Sequence, residues 1–159
     1  VTAEEKGLIG SRYYSENPVY PLKQHIADIN IDMIGRRDAE HADNNKYVYA
    51  IGSDRLSSEL HEILLDKNQK FVQLDVDLRY NDRNDPNRFY FRSDHYNFAK
   101  NGIPSLFFFS GVHPYYHKPT DDVDKIEFDA YQRRTELAFH ILWELANRGT
   151  AIQVDRDGN

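Results

Sequence analysis

The run Ile103 to Ser110, Ile-Pro-Ser-Leu-Phe-Phe-Phe-Ser, is almost continuously apolar. Eight such residues are too few for a buried helix and read as a strand covered on both faces, the situation of a sheet sandwiched between helices. Two polar clusters flank it. Arg92-Ser93-Asp94-His95 comes before, followed by a short amphipathic run with Tyr96, Phe98 and Ala99 that ends at Asn101-Gly102. His113 to Asp124 comes just after Gly111. In open α/β sheets ligands sit beyond the carboxyl ends of strands, so the second cluster is where a site is expected.

The rest of the chain fits an α/β domain. Ile26–Ile34 alternates apolar Ile29, Ile31 and Met33 with polar Asp28, Asn30 and Asp32, as for a strand with one buried face. Asp32 falls near its end, where a loop-capping acid is the plain reading. Tyr47–Gly52 reads as a short strand. Asp54–Asn68 reads as a helix with Leu56, Leu60, Ile63 and Leu64 inward and Ser53 or Asp54 as cap. Phe71–Tyr80 alternates as a strand, and Asn81–Arg88 is rich in turn residues. Ser93 or Asp94 can cap the short helix after them. Phe128–Asn147 is the closing helix, with Tyr131, Leu137, Ala138, Ile141, Leu142 and Leu145 expected inward and Gly149 ending it. Residues 1–149 are expected to form one domain, and residues 150–159 a mobile polar tail. The chain starts without Met, and Val1-Thr2-Ala3 reads as the end of a strand begun elsewhere, so a cut from within a longer protein is expected.

Composition excludes several classes. The net charge of −6, with no basic stripe, argues against a nucleic-acid partner. No apolar run reaches about 18 residues, so no transmembrane helix is expected. The absence of Cys excludes disulfides, thiolate zinc sites and Cys nucleophiles, and leaves the compartment open.

Three chemistries compete for the polar clusters. A Ser-His-Asp hydrolase would use Ser93, His95 and Asp94, but sequence neighbours rarely form a triad and no Gly-x-Ser-x-Gly elbow is present. All clusters could instead be caps, turns and solvated acids. A metal site assembled from strand ends would use the remaining acids and histidines. The adjacent pair Glu4-Glu5 suits it, because one carboxylate can ligate while its neighbour acts as base. On its own such a pair is most often a solvated one. His25, His41 and His61 read as ordinary surface or packing residues.

Four stretches taken together, AEEKGLIGS, NIDMIGR, RSDHYNFAKNGIPSLFFFSG and YYHKPTDDVDKI, span positions 3 to 126. In order and spacing they resemble the zinc-dependent leucyl aminopeptidase-like metallopeptidases, a family that also includes glutamate carboxypeptidase, transferrin receptor and glutaminyl cyclase. The resemblance implies a mixed, mostly parallel sheet flanked by helices, of zinc-exopeptidase type and truncated at its N-terminus. It implies Glu4 as general base, Glu5 and His117 as ligands of one zinc, and Asp32 as a ligand of a second. Tyr116 matches an oxyanion-stabilising tyrosine, and Arg92 a cleft arginine that contacts substrate. Asp94 and His95 match residues near the cleft that do not ligate.

The family pattern also needs a His and a metal-bridging Asp upstream of Glu4, and the sequence begins after them. The expectation is therefore an aminopeptidase parent that cuts N-terminal residues from peptides with two zinc ions, and an inactive fragment with weak or no zinc binding. An exposed sheet edge predicts a homo-oligomer. The relatives suggest a secreted or periplasmic protein. A non-catalytic interaction domain of transferrin-receptor type and a glutaminyl cyclase-like acyltransferase are the alternatives.

Overall fold

A computed structural model describes residues 1–158. Its centre is a four-stranded sheet in the order β1-β4-β2-β3, built from β1 (Asp28–Ile31), β2 (Tyr47–Ile51), β3 (Asp75–Asp77) and β4 (Ser105–Phe109). The β1–β4 and β2–β3 pairs are parallel, and β2–β4 is antiparallel, so the sheet is mixed and mostly parallel as the sequence implied. Every residue of β2 and β4 is buried.

Alternation along these two strands builds a core on each face. Val48, Ala50, Leu106 and Phe108 meet Leu60 and Leu64 of α2 (Ser58–Lys67) and Leu137, Ala138, Ile141 and Leu145 of α4 (Phe128–Asn147). On the opposite face Tyr47, Tyr49, Ile51, Phe107 and Phe109 meet Leu56, Phe89, Tyr90 and Ala99. Burying each of the larger side chains contributes about 1.5–3 kcal/mol, so the β2–β4 pair carries most of the fold's cohesion. The helices α1 (Ile9–Glu16) and α3 (His95–Ala99) pack together beside β1 and β4.

Arg134 of α4 is fully buried, an unexpected core residue. Its Nε donates to Tyr47 O at 2.8 Å, and Nη1 donates to Ile34 O and Arg36 O at 2.7 and 2.9 Å. Its guanidinium also lies 4.8 Å from the Tyr47 ring centroid. One cation thereby satisfies three carbonyls from two separate segments.

The structure corrects several expectations drawn from periodicity. Helix α2 starts at Ser58 rather than Asp54, because Ser57 is the cap, with its Oγ accepting from Leu60 N. The strand expected over Phe71–Tyr80 shrinks to β3. Residues Asn68–Val72 prolong α2 as a π turn, and the Asn68 side chain brackets the Leu74 backbone with two 2.8 Å hydrogen bonds. Val1–Ala3 is not a strand; Ala3 takes a positive φ and opens a 3-10 turn. In α4 the inward positions expected for Tyr131 and Leu142 belong to Ala130 and Arg134, and both former residues face solvent. In β1 Ile31 is 44% exposed, because this strand is one of the two edges of the sheet. Finally, residues 150–158 do not hang free. Ile152 is buried in the α2–α4 core, and the backbones of Asp155 and Arg156 donate to Leu56 O. Asn159 lies outside the described residues. No helix among them is long and apolar enough to cross a membrane.

Candidate metal centre

The carboxyl ends of β1 and β4 open into a cleft of about 280 Å³, and three chain segments carry its acids and its histidine. Glu4 and Glu5 come from the 3-10 turn Glu4–Lys6. Asp32 follows β1 directly. Tyr116 and His117 come from the loop after β4. Arg92 and Ser93 close one side, and Met33, Phe89, Phe91, Phe107 and Phe109 give the cleft an apolar wall.

Glu5 and His117 approach each other, with Oε2 and Nε2 at 3.3 Å. The His117 ring stacks on Tyr116 at 3.8 Å. Asp32 is held by Ser93, whose Oγ donates to Asp32 Oδ2 at 2.8 Å and accepts from Asn30 Nδ2 at 2.9 Å. Ser93 is therefore not the helix cap it was expected to be; α3 has no side-chain cap from Ser93 or Asp94. The Arg92 guanidinium lies 5.0 Å from the Phe89 ring.

Electrostatics tie the three segments together. Burial raises the Glu4 pKa, and the charges of Asp32, Glu5 and Asp94 add to the rise while His117 opposes it. Burial likewise raises that of Asp32, against the Ser93 hydrogen bond, with Glu5 and Asp94 again pushing up. Four carboxylates thus share one electrostatic neighbourhood, a demand for positive charge that His117 only partly meets.

Backbone strain gathers at the same place. Of the six non-glycine residues with positive φ among the described residues, Ala3, Leu8, Met33 and His117 border or belong to the cleft. Each such residue costs on the order of 1–3 kcal/mol, and clusters of them mark functional sites.

The loop carrying His117 is fastened at several points. Ser110 N and Oγ both donate to Met33 O, at 3.1 and 2.6 Å. Gly111 then turns with φ 91°, where a Cβ would fall 2.2 Å from Asp38 Oδ2. Asp38 is itself buried, accepting from Tyr49 OH and from His41 N and Nδ1. His41, read from sequence as ordinary, belongs to this cluster. Farther along, Arg36 pairs with Asp121, donates to Asp122 O at 3.2 Å and stacks 4.9 Å from the Tyr115 ring. Arg37 grips the Glu127 carboxylate at 3.0 and 3.1 Å. Arg36 lies only four residues after Asp32, so one clamp joins the segments bearing two candidate ligands.

Asp94 and His95 separate in space. Asp94 is buried, its Oδ1 makes no hydrogen bond, and its charge reaches Glu4 and Asp32. His95 does not line the cleft. It is fully buried, stacked on Phe107 at 4.7 Å, and burial drives its pKa down to about 3 against a weaker opposing pull from the Tyr90 backbone.

The donor types suit zinc, which takes His and carboxylate. The number does not. Only Glu5 and His117 converge, and among the described residues no group of three or more His, Asp or Glu could hold a metal ion. A catalytic zinc ordinarily has three protein ligands.

The chain belongs to peptidase family M28, which it matches over residues 1–142. Among solved structures it is similar to the LapA aminopeptidase of Legionella pneumophila, with TM-score 0.71 and 23% identity over 94% of this chain and 38% of that one. It is also similar to BSAP, a zinc aminopeptidase from Bacillus subtilis, with TM-score 0.65 and 25% identity over 98% of this chain and 38% of that one. A third is an aminopeptidase from Aneurinibacillus sp. strain AM-1, with TM-score 0.67 and 23% identity over 97% of this chain and 32% of that one. The chain therefore spans well under half the length of each. No curated protein sequence matches it.

Proposed function

We propose that this chain is the C-terminal part of the catalytic domain of a zinc-dependent aminopeptidase that removes N-terminal residues from peptides. The observation that carries the reading is that Glu4, Glu5, Asp32, Tyr116 and His117, from three distant segments, line one cleft. Glu5, His117 and Asp32 are the zinc donors of this chain, and donors from outside it complete the site. Alone, the chain binds zinc weakly and does not turn over peptide.

Within that reading each residue has a task that follows from its surroundings. Glu4 accepts the proton of the attacking water and returns it to the leaving amine. Its raised pKa brings a carboxylate closer to the operating pH, which favours proton transfer in both directions. The Tyr116 hydroxyl donates to the oxyanion of the tetrahedral intermediate. Arg92 at the cleft wall contacts the substrate backbone, and Ser93 fixes the orientation of Asp32. The open edge at β1 is where a second copy, or the remainder of the sheet, would pair. A secreted or periplasmic setting is part of the same proposal.

Zinc titration by calorimetry, run beside aminoacyl-p-nitroanilide hydrolysis, tests it. Weak zinc binding that His117→Ala or Glu5→Gln abolishes, with no hydrolysis, is the expected result. Tight binding indifferent to both substitutions would refute the donor assignment. Hydrolysis by the chain alone, lost in Glu4→Gln, would overturn its inactivity.

A further inference from the structure

A second cavity, of about 590 Å³, shares Phe91 with the cleft as a lining residue. Three cations reach its wall, Arg55, Arg83 and Lys100, against one acid, Asp157. On a chain of net charge −6 this is a local reversal of sign. Tyr90 and Tyr96 add two aromatic rings, 6.1 Å apart and edge to face.

Arg55 is the informative member. It is only 4% exposed, yet it forms no ion pair among the described residues. Its Nη2 donates to two backbone carbonyls, Asn81 O and Asp82 O, at 3.2 Å each. Its guanidinium stacks 4.4 Å from the Tyr90 ring, and Nε is buried without a partner. The two acids that approach it are engaged elsewhere: Asp54 with Arg156 at 3.4 Å, and Asp82 with Asn84 N at 2.8 Å. Desolvating a cation costs several kcal/mol, and carbonyls and a ring offset only part of that. A purely structural role, tying the 79–82 turn to Tyr90, accounts for Nη2 and the stacking. It does not account for two further cations and a second tyrosine around an open cavity. Among the described residues only Arg83 of those cations meets an acid, Asp157, and at 3.5 Å.

We propose that this cavity binds a small organic anion, a carboxylate or phosphate carried on a planar aromatic body. The anionic end faces Arg55, Arg83 and Lys100, and the ring packs against Tyr90 and Tyr96. A guanidinium fork matches either anion, and the volume is within the range of about 300–1,000 Å³ typical of small-molecule sites. The proposal does not depend on the metallopeptidase reading, because no zinc donor lines this cavity.

Amide-detected NMR titration of the full 159-residue chain tests it. The probes are benzoate, phenyl phosphate, inorganic phosphate and neutral benzyl alcohol. Saturable shifts at Tyr90, Tyr96, Lys100 and Gly102 are expected with one or both aromatic anions, and which of the two binds tighter identifies the anionic group. Benzyl alcohol and inorganic phosphate should bind at least about tenfold more weakly. Arg83→Ala and Lys100→Ala alter exposed side chains and spare the core; each should weaken binding by about three- to tenfold. Arg133→Ala, on α4, should change nothing. Shifts that stay linear with concentration, benzyl alcohol or phosphate matching the aromatic anions, or an Arg83→Ala/Lys100→Ala double variant that binds like the parent chain would each overturn the site.

Discussion

The strand pair at the middle of the sheet and the cleft at its end are built on opposite terms. In β2 and β4 every residue is buried, and the apolar faces meet α2 and α4 on one side and Phe89, Tyr90 and Ala99 on the other. At the cleft, Glu5 and His117 are more than half exposed at their side chains, four acids repel one another, and four non-glycine residues hold positive φ. The first region is stable on its own terms. The second gathers like charges and strained backbone that His117 and the Ser93 hydrogen bond offset only in part.

The sharpest way to break that contrast is to cut into both. Phe108→Ala should lower unfolding free energy by about 3–5 kcal/mol in denaturant titration, because its cavity lies between two packed layers. Arg134→Met should come next, at about 2–4 kcal/mol, since it leaves the carbonyls of Tyr47, Ile34 and Arg36 without their donor. If either variant unfolds no more easily than the parent chain, cohesion does not reside where burial puts it.

Which parts of this were legible in the sequence follows from how local the signal is. IPSLFFFS announced β4, and the 20-residue periodicity announced α4 to the residue, because both report burial directly. The residues of the cleft were legible only through four separated stretches taken together; no spacing brings Glu4, Asp32 and His117 into one place. What failed was anything decided by an unseen neighbour. Tyr131 and Leu142 are apolar, yet Arg134 takes the inward position because backbone carbonyls reward a buried donor there. The alternation of Phe71–Tyr80 fits a strand, yet Asn68 satisfies the Leu74 backbone with its side chain and extends the helix instead. The polar tail buries Ile152 against α2 and α4, a single apolar residue too isolated to read as core. Its place before a short helix suits Ser93 to capping, and only tertiary contact reveals it as the partner of Asp32.

Two predictions sharpen the boundary between the regions. Arg36→Ala should release the loop over residues 112–126, with faster amide exchange there and unchanged exchange in β4, for a local cost of about 1–2 kcal/mol. Equal acceleration in β4 would mean that the clamp belongs to the core. Asp28, on the edge strand, has its pKa raised to about 7, first by burial and then by the charge of Asp94, with the terminal amino group opposing. A carboxyl with a raised folded pKa binds its proton more tightly in the folded state, so the stability it lends is complete below the ordinary value of 3.8 and is lost as pH rises through about 7. Asp28→Asn should therefore match the parent chain near pH 4 and exceed it by about 1–2 kcal/mol near pH 8. Parallel stability profiles for the two proteins across that range would remove the buried-charge account.

The smallest expected effect is the most telling about the cleft. His117 adopts φ 56°, a left-handed conformation that costs a residue with a Cβ about 1–2 kcal/mol and glycine almost nothing. Its contacts are few: a ring stacked on Tyr116 and one acid at 3.3 Å, with most of the side chain in solvent. Glycine also gives the unfolded chain more freedom, which offsets part of the relief. His117→Gly should thus leave stability within about 0.5 kcal/mol of the parent chain, on the favourable side, while zinc binding disappears. That outcome would assign His117 to binding rather than to holding the fold. A loss of more than about 2 kcal/mol in His117→Gly would instead place His117 among the residues that hold the loop together, and the division between a self-sufficient interior and a poised cleft would fail at its most exposed point.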